Sequence, residues 1–279
     1  MPMRVLCHDE NTVAVQRTAN LLRFMAAVSV AASRPRGVLE MKTGSDKVDD
    51  QGRAYTGSQL QIQIYVNRRQ AELDAAIARA LPDTASGIPF DWVSPVERAE
   101  FEEYRDLQFL EALELTSQAM DLAEFWPRRG PVWDALARVP LSSGGSTGVL
   151  LVEGKSYPAE MRSSGTNASD GSLELIKASL QQTRQWLGAA STPSWTGDLY
   201  QLANRLAHLH FFREVARVPA WLVCLNFVGD SHCPTTVEEW ESGVQRAKQD
   251  LGIAGLEIPF YADVYLPAHE RVELLGAHV

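Results

Sequence analysis

The run Trp221-Leu-Val-Cys-Leu-Asn-Phe-Val228 constrains the fold more than any other stretch of the chain. It is apolar at every position but Asn226 and follows Pro219 closely. Eight residues suit a strand better than a helix. A strand this uniform needs cover on both faces, the situation of a central strand with helices on either side of its sheet. Around it the periodicity changes from strand to helix and back. Leu60, Ile62, Ile64 and Val66 alternate with Gln61, Gln63 and Tyr65, the period-two signature of a half-buried strand. Residues 69–81 carry Leu73, Ala76, Ile77 and Leu81 at helical spacing, and Pro82 closes that helix. Ser94-Pro95 reads as an N-cap with proline in the first helical position, opening a helix that runs to the neighbourhood of Phe125.

Two strand-like runs, Val132–Val139 and Val149–Val152, flank the Ser/Gly-rich turn segment 142–148. Amphipathic helices are expected over 173–187, over 198–216 with Asp198 as cap, and over 238–251. A last strand is expected over 259–266. This order predicts an α/β layer architecture with a mixed sheet flanked by helices. Residues 1–56 read as an N-terminal extension and 57–279 as a single α/β domain.

Charge and cysteine usage narrow the function. The formal net charge of −9 excludes a protein that coats duplexes nonspecifically. Residues 126–220 are the exception, with 10 basic against 7 acidic side chains. Cys7, Cys224 and Cys233 form no CxxC pair and no zinc pattern with the histidines, which predicts a reduced, cytoplasmic setting. No apolar run reaches the roughly 18 residues of a membrane span. Residues 24–33 imitate a secretion signal after Arg17 and Arg23. They start late, behind Asp9 and Glu10, and read as a short helix or part of the extension.

The basic third holds the informative motif. An apolar strand, Val149-Leu-Leu-Val152, ends in Glu153-Gly154-Lys155, and Asp134 lies 19 residues before Glu153 on the neighbouring run. Glu153 and Lys155, two apart on a strand, share a face. A hairpin between the two runs brings Asp134 beside Glu153. Two carboxylates so placed suit Mg²⁺, which takes oxygen ligands and few protein ones. A lysine on the same face can orient water and balance phosphoryl charge. With 35 acids and five lysines, chance supplies about 0.6 acid-x-lysine triplets. The chain has two, and the other, Glu40-Met41-Lys42, lacks an apolar strand and a partner aspartate.

Residues 131–155, read as Pro131-Val-Trp-Asp134, a hairpin, and Glu153-Gly-Lys155, resemble the core motif of the PD-(D/E)XK nuclease superfamily, with two residues between proline and aspartate as a departure. The resemblance covers about 95–230. It implies a restriction-endonuclease-like core and a Mg²⁺- or Mn²⁺-dependent nuclease with Asp134, Glu153 and Lys155 as catalytic residues. Asp134, Glu153 and the backbone carbonyl of Gly154 would hold the metal, with DNA favoured over RNA as substrate. The superfamily often adds an acid from upstream, for which Glu111, Glu114 and Glu124 are candidates. Gln201, Asn204, Arg205 and His208 form a polar helical stripe whose first three members are expected substrate contacts. On this reading Glu153→Ala and Lys155→Ala abolish cleavage and leave thermal stability nearly unchanged.

Two rival readings stand beside it. Gly144-Gly-Ser146-Thr-Gly148 fits the nucleophile elbow of a serine hydrolase, with Asp170 and His208 in the right chain order, but the elbow needs a helix after the serine and Val149–Val152 predicts a strand. A nuclease-like fold can also serve as a non-catalytic binding or assembly module, with a protein partner or a second copy of the chain.

Overall fold

The computed structural model describes residues 47–84, 87–141, 147–191 and 193–276. The readings on Cys7, 24–33, Glu40–Lys42 and Ser146 lie outside them. Five strands, β1 (Asp91–Ser94), β2 (Ala135–Pro140), β3 (Thr147–Lys155), β4 (Ala220–Val228) and β5 (Tyr261–Pro267), stand side by side in chain order. β1, β2 and β3 are antiparallel neighbours, whereas β4 joins β3 and β5 joins β4 in parallel. The helices are α1 (Gly57–Arg68), α2 (Gln70–Ala80), α3 (Leu107–Ala112), α4 (Ala119–Phe125), α5 (Asp170–Leu187), α6 (Tyr200–His210), α7 (Val237–Asp250) and α8 (Arg271–Leu274). The parallel joins need long crossovers. α5 and α6 make the first and α7 the second. The fold is thus α/β with a mixed five-stranded sheet flanked by helices. No described helix is long and apolar enough to cross a membrane.

The apolar run 221–228 lies within β4, which is buried at every position but Val228. Alternation along the strands divides the sheet into two faces. Leu150, Val152, Val223, Leu225 and Phe227 pack with Ile62, Tyr65, Leu73 and Ile77 of α1 and α2. The opposite face carries Glu153, Lys155, Cys224, Asn226 and Asp263, which line a pocket with Gln201 of α6 and Val244 of α7. The polar face is therefore one pleat away from the main core.

The alternating segment 60–66 is a helix, not the expected strand, because α1 is buried on almost every side. Ile62, Tyr65 and Val66 face the sheet. Leu60 and Ile64 enter a second cluster with Ala54, Phe101 and Leu274. The two glutamines between them are buried and fully engaged. Gln63 accepts from the Ala54 amide (2.8 Å) and donates to the Gly52 carbonyl (3.0 Å), while Gln61 exchanges bonds with the backbone of His269 (2.8 and 3.0 Å). Polar residues with interior partners mimic a solvent face in the sequence. Residues 47–56 accordingly pack into the domain, so the extension ends before residue 56.

The expected helix from Ser94 to Phe125 is also corrected. Ser94 is the last residue of β1 and stands opposite Leu136. The segment then forms two short helices, α3 and α4, separated at Glu114, which takes a left-handed φ of 62°. Asp198 does not cap α6, whose N-cap is Leu199; Asp198 pairs with Arg162 instead.

Candidate functional site

The last register pair of β2 and β3 at this end is Ala135 opposite Val152. Asp134 therefore stands beside residues 153 and 154, just past the end of the ladder. Its Oδ2 accepts the backbone N–H of Gly154 at 2.8 Å. The amide and carbonyl of one strand residue point to the same lateral side, so the Gly154 carbonyl also points past the end of β2, towards the Asp134 edge. A side chain at this position would crowd the other face of the sheet. A Cβ on residue 154 would lie 2.3 Å from Cδ1 of Ile62 on α1.

Lys155 Nζ donates to Glu153 Oε1 at 2.6 Å. Arg205 enters from α6. Its Nε and Nη2 each lie 2.5 Å from Glu153 Oε2. Nη2 also donates to the Val132 carbonyl (2.7 Å), Nη1 donates to Asn204 Oδ1 (3.1 Å), and the guanidinium lies 4.7 Å from the centre of the Trp133 ring. One carboxylate, Glu153, thus meets two cations in the protein interior.

Protonation follows from this balance. Burial works against the charge on Glu153, but Arg205 and Lys155 outweigh it and hold its pKa below the usual value. Burial likewise opposes the Lys155 ammonium, yet Glu153 and Asp134 outweigh it and the lysine stays charged. Asp134 lacks such direct cationic partners. Burial, reinforced by the charge on Glu153, pushes its pKa up to about 6.

Glu103 is the acid that sequence reasoning missed. Burial, then the charge on Asp134, pushes its carboxyl up to about 7, and Gln59 of α1 donates to its Oε1 at 3.1 Å. It reaches the site because Trp133 donates its amide to the Tyr104 carbonyl (3.0 Å), an isolated bridge that lays 103–104 along the segment leading to Asp134. The expected upstream acids stand elsewhere. Glu111 and Glu124 are exposed, and Glu114 pairs with Arg138. No local pattern marks Glu103, since its position depends on a bridge between segments 29 residues apart.

Of the expected substrate contacts, Gln201 lines the pocket with Glu153 and Lys155. Asn204 and Arg205 are corrected: both are buried, and Asn204 holds Arg205 while Arg205 holds Glu153. His208 donates from Nδ1 to the Asn204 carbonyl (2.8 Å) and is enclosed by the rings of Phe109, Trp126 and Trp133. The carbonyl can only accept, so Nδ1 carries the proton. Burial pushes its pKa down to about 3, leaving it neutral. A ring so enclosed cannot serve a serine nucleophile, and Thr147–Lys155 is the strand expected after Ser146 rather than a helix.

Among the described residues, no three His, Cys, Asp or Glu side chains converge closely enough to cage a metal. The donors at hand are hard oxygens, the Asp134 and Glu153 carboxylates with the Gly154 carbonyl beside them. That set fits Mg²⁺ or Mn²⁺ completed by water and substrate, and it does not fit zinc. A cation seated on Glu153 would displace an N–H donor of Lys155 or Arg205. The same pairing revises the expected effect of Glu153→Ala. Its removal leaves two interior cations short of an anion, so stability falls with it.

Comparison with protein-family models, with curated proteins and with solved structures yields no match.

Proposed function

We propose that this chain is a Mg²⁺- or Mn²⁺-dependent phosphodiester hydrolase acting on nucleic acid, with a PD-(D/E)XK-like core. The observation that carries the reading is the fastening of Asp134 to the Gly154 amide at 2.8 Å, which sets its carboxylate beside Glu153 with Lys155 on the same strand face. The antiparallel β1–β2–β3 meander followed by a helical crossover into parallel β4 agrees with the layout this core implies. The net-basic composition of 126–220 supports a polyanionic substrate.

Asp134, Glu153 and the Gly154 carbonyl would hold the metal, which when bound supplies positive charge to a phosphoryl oxygen and acidifies water. Lys155 is charged, so it orients the attacking water and balances phosphoryl charge rather than removing a proton. Glu103 titrates near neutrality beside Asp134 and is the group best tuned to accept a proton at physiological pH. Arg205 positions Glu153.

A second reading, a non-catalytic assembly module, is favoured by one observation. Both oxygens of Glu153 are already held, by Lys155 and by Arg205, in a self-neutralising cluster. A cleavage assay decides between them, with single- and double-stranded DNA and RNA in Mg²⁺, Mn²⁺ or EDTA. The enzyme reading predicts metal-dependent cleavage lost in Lys155→Met. No cleavage of any substrate by folded wild type favours the module.

A further inference from the structure

A separate groove opens beside the first turn of α6. Arg128 and Arg129 form one wall, and Thr166, Asn167, Ser169 and Ser172 lie along the other. No Asp or Glu lines it, on a chain with a net charge of −9. Both arginines are exposed, and among the described residues neither has an ion-pair partner. Two acids on neighbouring segments do not line the groove. Asp106 is covered by the amides of Arg129 (3.0 Å) and Gly130 (2.8 Å), and Asp170, at the start of α5, is exposed outside the groove.

Both walls are held in place. The two amides on Asp106 fix the backbone under Arg129. Opposite, the Ser163 amide donates to the Asp198 carbonyl (2.7 Å) and the Thr166 amide to the Thr196 carbonyl (3.2 Å). Gly165, at φ +80°, sits so close to this segment that a Cβ would lie 2.7 Å from the Thr196 carbonyl oxygen. A preformed groove spares a ligand the cost of ordering it.

Two adjacent guanidinium forks facing a row of hydroxyl and amide donors suit an anion rich in oxygens, and phosphate is the anion that guanidinium geometry fits best along with carboxylate. Position decides between them. Tyr200 belongs to this groove and its neighbour Gln201 to the pocket of Glu153 and Lys155. Arg129 precedes Asp134 by five residues, so their backbones are at most about 18 Å apart, the rise of about five nucleotides of duplex. A strand that continues past the site would pass the arginines.

We propose that this groove grips the phosphate backbone of the nucleic-acid strand a few nucleotides from the bond to be cut. The assignment rests on the phosphodiesterase reading for its substrate class, but its test does not need catalysis. Binding of labelled single-stranded and duplex oligonucleotides to the full chain is followed by fluorescence anisotropy in EDTA over a range of salt. Arg128→Gln/Arg129→Gln should weaken binding by about tenfold or more and lower the slope of log affinity against log salt by roughly 1.4 to 1.8, two phosphate contacts' worth. Arg79→Gln/Arg246→Gln, which removes two exposed cations elsewhere, should leave both unchanged. Unchanged affinity in the first double variant, equal loss in both, or no binding by wild type would overturn the proposal. So would displacement of the oligonucleotide by polyglutamate at matched charge, which would assign the groove to an acidic protein. Wild type that cleaves with metal while the groove variant binds normally defeats the groove alone; Arg128- and Arg129-dependent binding without cleavage defeats the catalytic reading alone.

Discussion

The carboxylate of Asp134 is tied to the backbone amide of Gly154, 2.8 Å away, across the open end of the β2–β3 ladder. The bond links a residue before β2 to the middle of the Glu-Gly-Lys triplet. It converts a sequence spacing into a site. Because Gly154 also faces Ile62 through the sheet, the position of the site depends on how α1 is seated.

Gly154→Ala should therefore destabilise the fold by about 1–3 kcal/mol through overpacking against Ile62. In urea denaturation, adding Ile62→Ala should cost less in the Gly154→Ala background than in wild type, a coupling that marks direct contact. Additive effects would place the clash elsewhere.

Removing Glu153 should be costly because Arg205 and Lys155 lose their shared anion. Glu153→Ala is expected to lower stability by about 3–5 kcal/mol, with most of the loss recovered in Glu153→Ala/Arg205→Met. Lys155→Met should cost less, about 1–2 kcal/mol, because Arg205 still holds Glu153. Chemical denaturation of the four proteins gives the ranking, and an undestabilised Glu153→Ala would contradict the buried ion-pair account.

Glu103 gives stability a pH dependence of known sign. Its folded pKa of about 7 lies above the usual 4.5, so the folded state holds a proton that the unfolded state has lost. Its contribution to stability should fall as pH rises from 4.5 to 7 and be level above. Glu103→Gln removes that term, so the variant should gain on wild type across this window. Parallel stability curves for the two would contradict the assignment.

His208 acts in the opposite sense. Burial lowers its pKa from 6.5 to about 3, so the unfolded chain takes up a proton that the folded chain refuses. Its share of stability is complete above pH 6.5 and is lost as pH falls towards 3. His208→Phe, placed among the same rings, should lose less stability than wild type between pH 6.5 and 4. An equal acid loss in both proteins would show that the histidine is not enclosed.

The elements that announce themselves by periodicity are where the sequence places them. β4 is apolar along almost its whole length, α5 and α7 are amphipathic, and the β2–β3 hairpin follows from two apolar runs around a Ser/Gly turn. α1 is misread because Gln61 and Gln63 are buried by their own hydrogen bonds, which breaks the equation of polar with exposed. β1 has only four residues, too few to show a period, and a helix-start signal at Ser94-Pro95 overlies its end. At the site, Asp134, Glu153 and Lys155 converge because hairpin register is a local property. Glu103 depends on the Tyr104–Trp133 bridge, and the role of Arg205 depends on where α6 lands against β3, neither of which a one-dimensional pattern carries.

The central claim, that Asp134 and Glu153 form a metal site and not merely an ion-pair cluster, is tested most directly by calorimetric titration of Mn²⁺ into Lys155→Met bound to an uncleaved oligonucleotide. The account predicts saturable Mn²⁺ binding that is abolished in Asp134→Asn/Lys155→Met. No binding, or binding with the same affinity in the Asp134→Asn background, would contradict it.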